Sequence, residues 1–214
     1  MKAAVCNELI IDRPFPEACQ LIARWGFQGV ELAPYTLAED PLRITPSQAR
    51  AMRRVVEGTG LTCLGLHWLL KAPPGLHLTT SDLTVLLEPL PTNVTDVVNT
   101  LEEARKIAAV IANPAVAGMF DFHNTNKESL PWDQLITRHF DLIRHVHLNE
   151  VDGYHPSPVQ RPGRCRSDFL PTFRVLVHRG YTGWVSLEIF LADDPPERVL
   201  DETRRFLDGI QDTL

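Results

Sequence analysis

Residues Gly183–Phe190 read GWVSLEIF, a nearly unbroken apolar run with a single carboxylate, Glu188, close to its end. The run is too short for a helix, rich in branched and aromatic side chains, and opened by glycine, so it reads as a strand covered on both faces. Upstream of it, Phe169–His178 carries apolar residues at helical spacing and closes at Gly180. Downstream, a proline pair at Pro195 opens a helix that runs to Leu214. A buried strand between two helices is the unit of a parallel sheet, because parallel neighbours need a long crossover.

The same alternation extends back to the start of the chain. Strands are expected at Ala3–Leu9, Val30–Ala33, Gly60–Leu70, Leu83–Leu87, Val116–Phe120 and Arg144–Leu148. Helices are expected at Pro14–Trp25, Thr45–Gly58, Val94–Ile111 and Trp132–Ile143. One phrase recurs: Gly26-Phe27-Gln28-Gly29-Val30-Glu31 parallels Gly180-Tyr181-Thr182-Gly183-Trp184-Val185. In each, a helix stops at glycine and a short turn feeds a strand, as in the repeated unit of a βα barrel. The fold class is therefore α/β, a parallel (β/α) TIM-type barrel shortened to about seven strands where a closed one has eight. Residues 1–214 form a single domain on this reading.

Bulk composition narrows the function. The chain has 214 residues, 44% apolar and 22% charged, and a net charge of −6. That balance is globular, and it argues against a nucleic-acid partner, which needs a basic field. No run reaches transmembrane length, so no membrane partner is expected, and the N-terminal stretch lacks the apolar core of a signal peptide. Cys6, Cys19, Cys63 and Cys165 show no CxxC spacing and read as reduced thiols of a cytoplasmic protein.

Polar residues fall at the C-terminal end of successive strands: Glu88 after LTVLL, Asp121 after VAGMF, His147 late in RHVHL and Glu188 late in WVSLE. In a parallel barrel these ends open on one mouth, where active sites lie. Their separations of 33, 26 and 41 residues each suit one βα unit. Three carboxylates and an imidazole would repel unless a cation sat among them, and this oxygen-rich set suits Mn²⁺, Mg²⁺ or Co²⁺, with Zn²⁺ also compatible. Strand alternation places His123 beside Asp121, and Asn149 beside His147 and His145, on the same inward face; Glu31 and His67 occupy equivalent late positions on strands two and three. Taken singly, each residue has an ordinary explanation: a solvated loop glutamate, a satisfied core histidine pair, Trp68 and Trp184 as packing. The coincidence over four strands is what weakens those explanations.

These segments together resemble the sugar phosphate isomerase/epimerase family of xylose isomerase-like barrels, which includes ketose 3-epimerases and hydroxypyruvate isomerases. The resemblance rests on GVELAPY, GLHWLL with PPGLHLTT, LLEPLPTN with VVNT, MFDFHNTNKE, RHVHLNE, RPGRCRSDF and GYTGWVSLEIF, in family order. It implies that Glu88, Asp121, His147 and Glu188 hold one divalent metal ion. It further implies that Glu88 and Glu188 act as a catalytic acid/base pair in a sugar isomerase or epimerase working through an enediolate. His123 and Glu150 fall near positions that line the sugar site. Two departures stand out. Gly153 occupies the place of a family arginine that contacts substrate, with Arg161 the candidate replacement. A helix, strand and helix, on the order of 60 residues, are absent between His77–Asp82 and Leu83. Lys71–Asp82 must then cross from the top of strand three to the bottom of the next nearly extended, leaving open sheet edges that invite a homo-dimer. Two other readings compete: a degenerate barrel that binds a sugar or a partner without turnover, and an apurinic/apyrimidinic endonuclease, which the acidic balance disfavours.

Overall fold

The computed structural model describes residues 1–68 and 83–214. Seven strands form one sheet: β1 Lys2–Cys6, β2 Gly29–Leu32, β3 Thr62–Leu66, β4 Val85–Leu87, β5 Val116–Asp121, β6 Ile143–Leu148 and β7 Trp184–Leu187. Their order is β3-β2-β1-β7-β6-β5-β4, with every pairing parallel. Six helices cover the convex side: α1 Phe15–Arg24, α2 Pro46–Gly58, α3 Leu101–Ile111, α4 Trp132–His139, α5 Leu170–His178 and α6 Pro196–Thr213. None of them is long and apolar enough to cross a membrane.

The sheet is curled into a half-barrel. Strands β2 and β6 are three places apart, which in a flat sheet would separate them by about 14 Å. Yet Glu31 Oε2 on β2 lies 3.3 Å from His147 Nε2 on β6. Only a sheet rolled about its concave face brings those side chains together. Among the described residues no pairing joins β3 to β4, and β3 is largely exposed, so the roll stays open there. The expected crossing of Lys71–Asp82 lies outside the described residues, as do Leu69 and Leu70 at the end of the expected third strand.

Strand alternation sorts the core. On β5 and just beyond it, Phe120 and Phe122 face the helices and join Trp132, Phe169 and Phe173 in an aromatic cluster with ring centroids 4.8–5.9 Å apart. Met119 and Asp121 point into the bore, as do His145, His147 and Asn149. The floor of the bore is tight. A Cβ on Gly29 would meet Leu64 and Trp184 at 3.0 Å and Ala4 at 3.2 Å, so glycine makes room for the Trp184 ring. Trp184 is thus packing. The recurring phrase behaves as expected: Gly26 and Gly180 take φ of +77° and +75° just past α1 and α5, a conformation that costs glycine little.

Several boundaries differ from expectation. Helix α3 begins at Leu101 rather than Val94, because Thr100 and Glu103 form a capping box and the Asn99 amide donates to Leu90 and Thr95 carbonyls. Helix α4 stops at His139, and the chain turns through Phe140–Leu142 into β6. Strands β1, β4 and β7 are shorter than their apolar runs, and β1 gives way directly to a 3-10 turn at Asn7–Ile10.

Candidate metal centre

At the C-terminal rim Glu88, Asp121, His147 and Glu188 offer ligand atoms that all lie within 4.8 Å of one another. His147 Nδ1 sits 3.0 Å from Glu188 Oε2, 3.7 Å from Asp121 Oδ2 and 3.8 Å from Glu88 Oε1. Asp121, His147 and Glu188 are almost fully buried, whereas a quarter of the Glu88 side chain is open to solvent. The expected ligand set therefore converges.

The residues fit a cation on two independent observations. His147 Nδ1 is buried and makes no hydrogen bond of acceptable geometry, although a carboxylate oxygen stands 3.0 Å away. Oxygens and nitrogen that surround a point without bonding each other are what a coordination sphere leaves behind, since ligands about 2.0–2.6 Å from an ion must lie some 3–4 Å apart. The second observation is electrostatic. Burial, with Glu88 and Glu188 nearby, pushes the Asp121 carboxyl well above the usual carboxylate range. Burial opposes charge on His147, but Glu188 and Glu31 outweigh it and raise its pKa well above normal. Burial also works against Glu188, yet His147 and His67 hold its pKa down. A divalent ion among these groups would offset the repulsion that raises Asp121.

Hydrogen bonds lock these groups in place. Asn124, in the 3-10 turn after β5, donates its backbone N–H to Asp121 Oδ1 (2.6 Å) and its side-chain amide to Glu88 Oε1 (2.9 Å). Asn149 Nδ2 donates to Asp121 Oδ2 at 3.0 Å, while its Oδ1 accepts from His123 N at 2.9 Å. Behind His147, Glu31 Oε2 faces the Nε2 atoms of His147 and His145. Burial disfavours a charged Glu31, but these histidines keep its pKa well below normal. Cys6, Glu31, His67 and His147 also cluster closely enough to hold an ion.

The other expected site residues divide. His67 lies beside the centre, its Nδ1 3.6 Å from Glu188 Oε1 and its Nε2 3.0 Å from Glu8 Oε2. His123 lines a cavity of about 500 Å³ next to the centre, with Trp68, Asn124, Lys127, Phe190 and the two glutamates, and its ring lies 4.9 Å from Phe190. Asn149 braces Asp121 and is fully buried, so it reaches the site through a ligand. Glu150 and Arg161 are not brought to this cavity. Glu150 accepts from the Ser167 N–H at 3.0 Å and from its hydroxyl. Arg161 makes a two-pronged bridge to Asp194 and lies 3.6 Å from Glu202, and Arg198 of α6 bridges the same two carboxylates. The Arg161 guanidinium clamps the long loop after β6 onto the start of α6. Sequence reading passed over Asn124 and Glu8. Asn124 stands in a turn where strand alternation no longer applies, although its motif, FDFHNTNKE, was visible.

A larger hollow, about 800 Å³, opens at the opposite end of the barrel between Lys2, Tyr181 and Arg204, away from these groups.

A family model described as xylose isomerase-like TIM barrel matches residues 75–210. No curated protein matches in sequence. Among solved structures, 3-keto-D-glucoside 4-epimerase from E. coli superposes with a TM-score of 0.74 at 19% identity, covering 99% of each chain. D-psicose 3-epimerase from Clostridium cellulolyticum H10, solved with D-tagatose, gives 0.75 at 17% identity over 99% of this chain and 98% of its own. An AP endonuclease of family 2 from Brucella melitensis gives 0.69 at 18% identity over 93% and 96%. At such identities these likenesses speak for the fold.

Proposed function

The chain belongs to the xylose isomerase-like TIM barrel family, and we propose that it is a divalent-metal-dependent isomerase or epimerase of a small sugar or hydroxy-carbonyl compound. One observation carries the reading: four ligand atoms from four consecutive strands, within 4.8 Å of one another, beside a cavity of about 500 Å³. The structural neighbours that act on sugars are epimerases, which agrees with it.

A divalent ion held by Glu88, Asp121, His147 and Glu188 would supply Lewis acidity, stabilising negative charge that develops on substrate oxygens. The chain's own groups do the rest. Glu88 and Glu188 both line the cavity, so each carboxylate has access to a bound molecule. One takes the proton from the carbon next to the carbonyl, leaving an enediolate. The other returns a proton to the opposite face or to the neighbouring carbon. Asn124 donates to Glu88 Oε1, so that this carboxylate is oriented before substrate arrives. Trp68 and Phe190 give the cavity two apolar walls, and His123 and Lys127 give it polar ones.

One observation favours a second reading, in which the barrel binds a sugar or a partner without turnover: among the described residues β3 is exposed and is not paired with β4. An endonuclease role draws no comparable support, since among the described residues lining the cavity Lys127 is the single Lys or Arg. The test is exchange of a substrate α-proton with deuterated water, using purified protein, Mn²⁺ and a panel of ketoses and hydroxypyruvate. Exchange that disappears with chelator supports an enzyme; metal uptake with no exchange on any substrate favours the binding module.

A further inference from the structure

Glu31 has no part in the scheme above, yet it is buried against the centre. It enters the bore from β2 with 7% exposure, and Oε2 lies 3.3 Å from His147 Nε2 and 3.0 Å from His145 Nε2. An ionised carboxylate oxygen only accepts, so each Nε2 that faces it must donate a proton. That assignment fixes the other edge of the His147 ring. In the neutral ring that binds a cation, a proton on Nε2 leaves the lone pair on Nδ1, and Nδ1 is the atom turned toward Glu88, Asp121 and Glu188. An imidazole binds a cation through its unprotonated nitrogen, and the hydrogen bond at the far nitrogen decides which one that is.

We infer that Glu31 is a positioning residue that holds His147 in the Nε2–H tautomer and so aims Nδ1 at the divalent cation. The inference rests on the reading of His147 as a metal ligand. Geometry makes Glu31 effective in this role. It reaches His147 from a strand three places away in the sheet, so it restrains the ring against swinging as well as fixing its proton. His145 shares the same oxygen and steadies the carboxylate from below, its ring edge-on to His147 with centroids 5.1 Å apart. Cys6 Sγ, 3.8 Å from Oε2, is the third neighbour. Were Glu31 itself a ligand, in the cluster it forms with Cys6, His67 and His147, the Nε2 of His147 would have to be without its proton.

Nitrogen-15 NMR of the histidine-labelled full chain loaded with zinc, which is diamagnetic, distinguishes these states. The expected spectrum shows His147 bonded to zinc through Nδ1 and carrying a proton on Nε2. Calorimetric titration with zinc then compares Glu31→Gln with wild type, and the affinity is expected to fall about 10–100-fold, the usual cost of removing the group behind a metal-binding histidine. A wild-type spectrum with zinc on Nε2 overturns the inference even if no variant folds. So does an unchanged affinity in Glu31→Gln. A wild-type chain that takes up no divalent cation removes the metal reading and the inference together, whereas normal uptake with Glu31→Gln unchanged removes the inference alone.

Discussion

Asp121→Asn separates a metal centre from a chance meeting of acids. In the wild-type chain, a divalent ion at a hundred times its dissociation constant should stabilise the fold by about 2.7 kcal/mol. For a domain of this size each kcal/mol moves the melting point by about 2–4 °C, so the expected rise is about 5–11 °C. Asparagine keeps the shape of Asp121 but loses its charge and one acceptor. Its oxygen can still take the Asn124 N–H, but its new NH₂ then faces the NH₂ of Asn149, which cannot turn over without deserting the His123 N–H. That mismatch costs about 1–3 kcal/mol. Relief of repulsion from Glu88 and Glu188 works the other way, since burial and those carboxylates disfavour the charged form of Asp121. The metal-free melting point should therefore fall by less than the mismatch alone implies. The metal response is the decisive quantity. Loss of a group behind a ligand typically weakens binding 10–100-fold, and loss of a ligand at least matches the upper figure. At the same ion concentration the stabilisation then shrinks to about 0.4 kcal/mol, a rise of only about 1–2 °C. Differential scanning calorimetry with and without Mn²⁺ reads both numbers. An undiminished metal-induced rise in Asp121→Asn would refute the argument.

Three further outcomes follow from particular contacts. Glu188→Gln should lower turnover by about 10²–10⁴-fold on any substrate the wild type converts, and a wild-type rate would remove Glu188 from proton transfer. Gly118→Ala should destabilise by about 1–3 kcal/mol, because a Cβ there would stand 2.8 Å from Leu142 Cγ; in a Leu142→Ala background the added cost of Gly118→Ala should shrink, as read by urea denaturation. On the surface, Arg105 holds the Asp141 carboxyl down to about 2. A depressed acid stabilises the fold above its unfolded pKa and loses that contribution as pH falls toward 2. Three quarters of the Asp141 side chain is exposed, so solvent screening limits the effect to a few tenths of a kcal/mol. Asp141→Asn should flatten the acid limb of the stability curve slightly, and a large change would mean the pair is buried more deeply than the structure has it.

Much of the site was legible because strand chemistry is periodic. GWVSLEIF and RHVHL announce buried strands, and counting by twos from Asp121 and His147 finds His123 and Asn149 on the same face. The carboxylates at the strand ends needed only the rule that parallel strands share a rim. What periodicity could not reach was contact across the bore. Glu31 and His147 are 116 residues apart and meet only because the sheet curls, a property of the whole roll and of no local segment. Arg161 shows the opposite failure: an arginine in a loop near the mouth suggests substrate, but Asp194 and Glu202 are nearer and claim it. The late start of α3 was recoverable, since Thr100 followed by Glu103 is a helix-opening signature that the apolar pattern from Val94 obscured.

A rolled sheet that, among the described residues, is unpaired along one side resembles a spring: its margins are held in by whatever ties one wall to the other. Here that tie is a handful of hydrogen-bonded and charged groups strung across the hollow, from Glu31 to the paired imidazoles and from His67 to Glu188. Ion loading at one end of the tie and tension at the loose margins are then the same mechanical quantity seen from two places. Amide exchange along β3, which leads directly into His67, should slow when the centre fills, and it is at that margin that loss of the ion would first be felt.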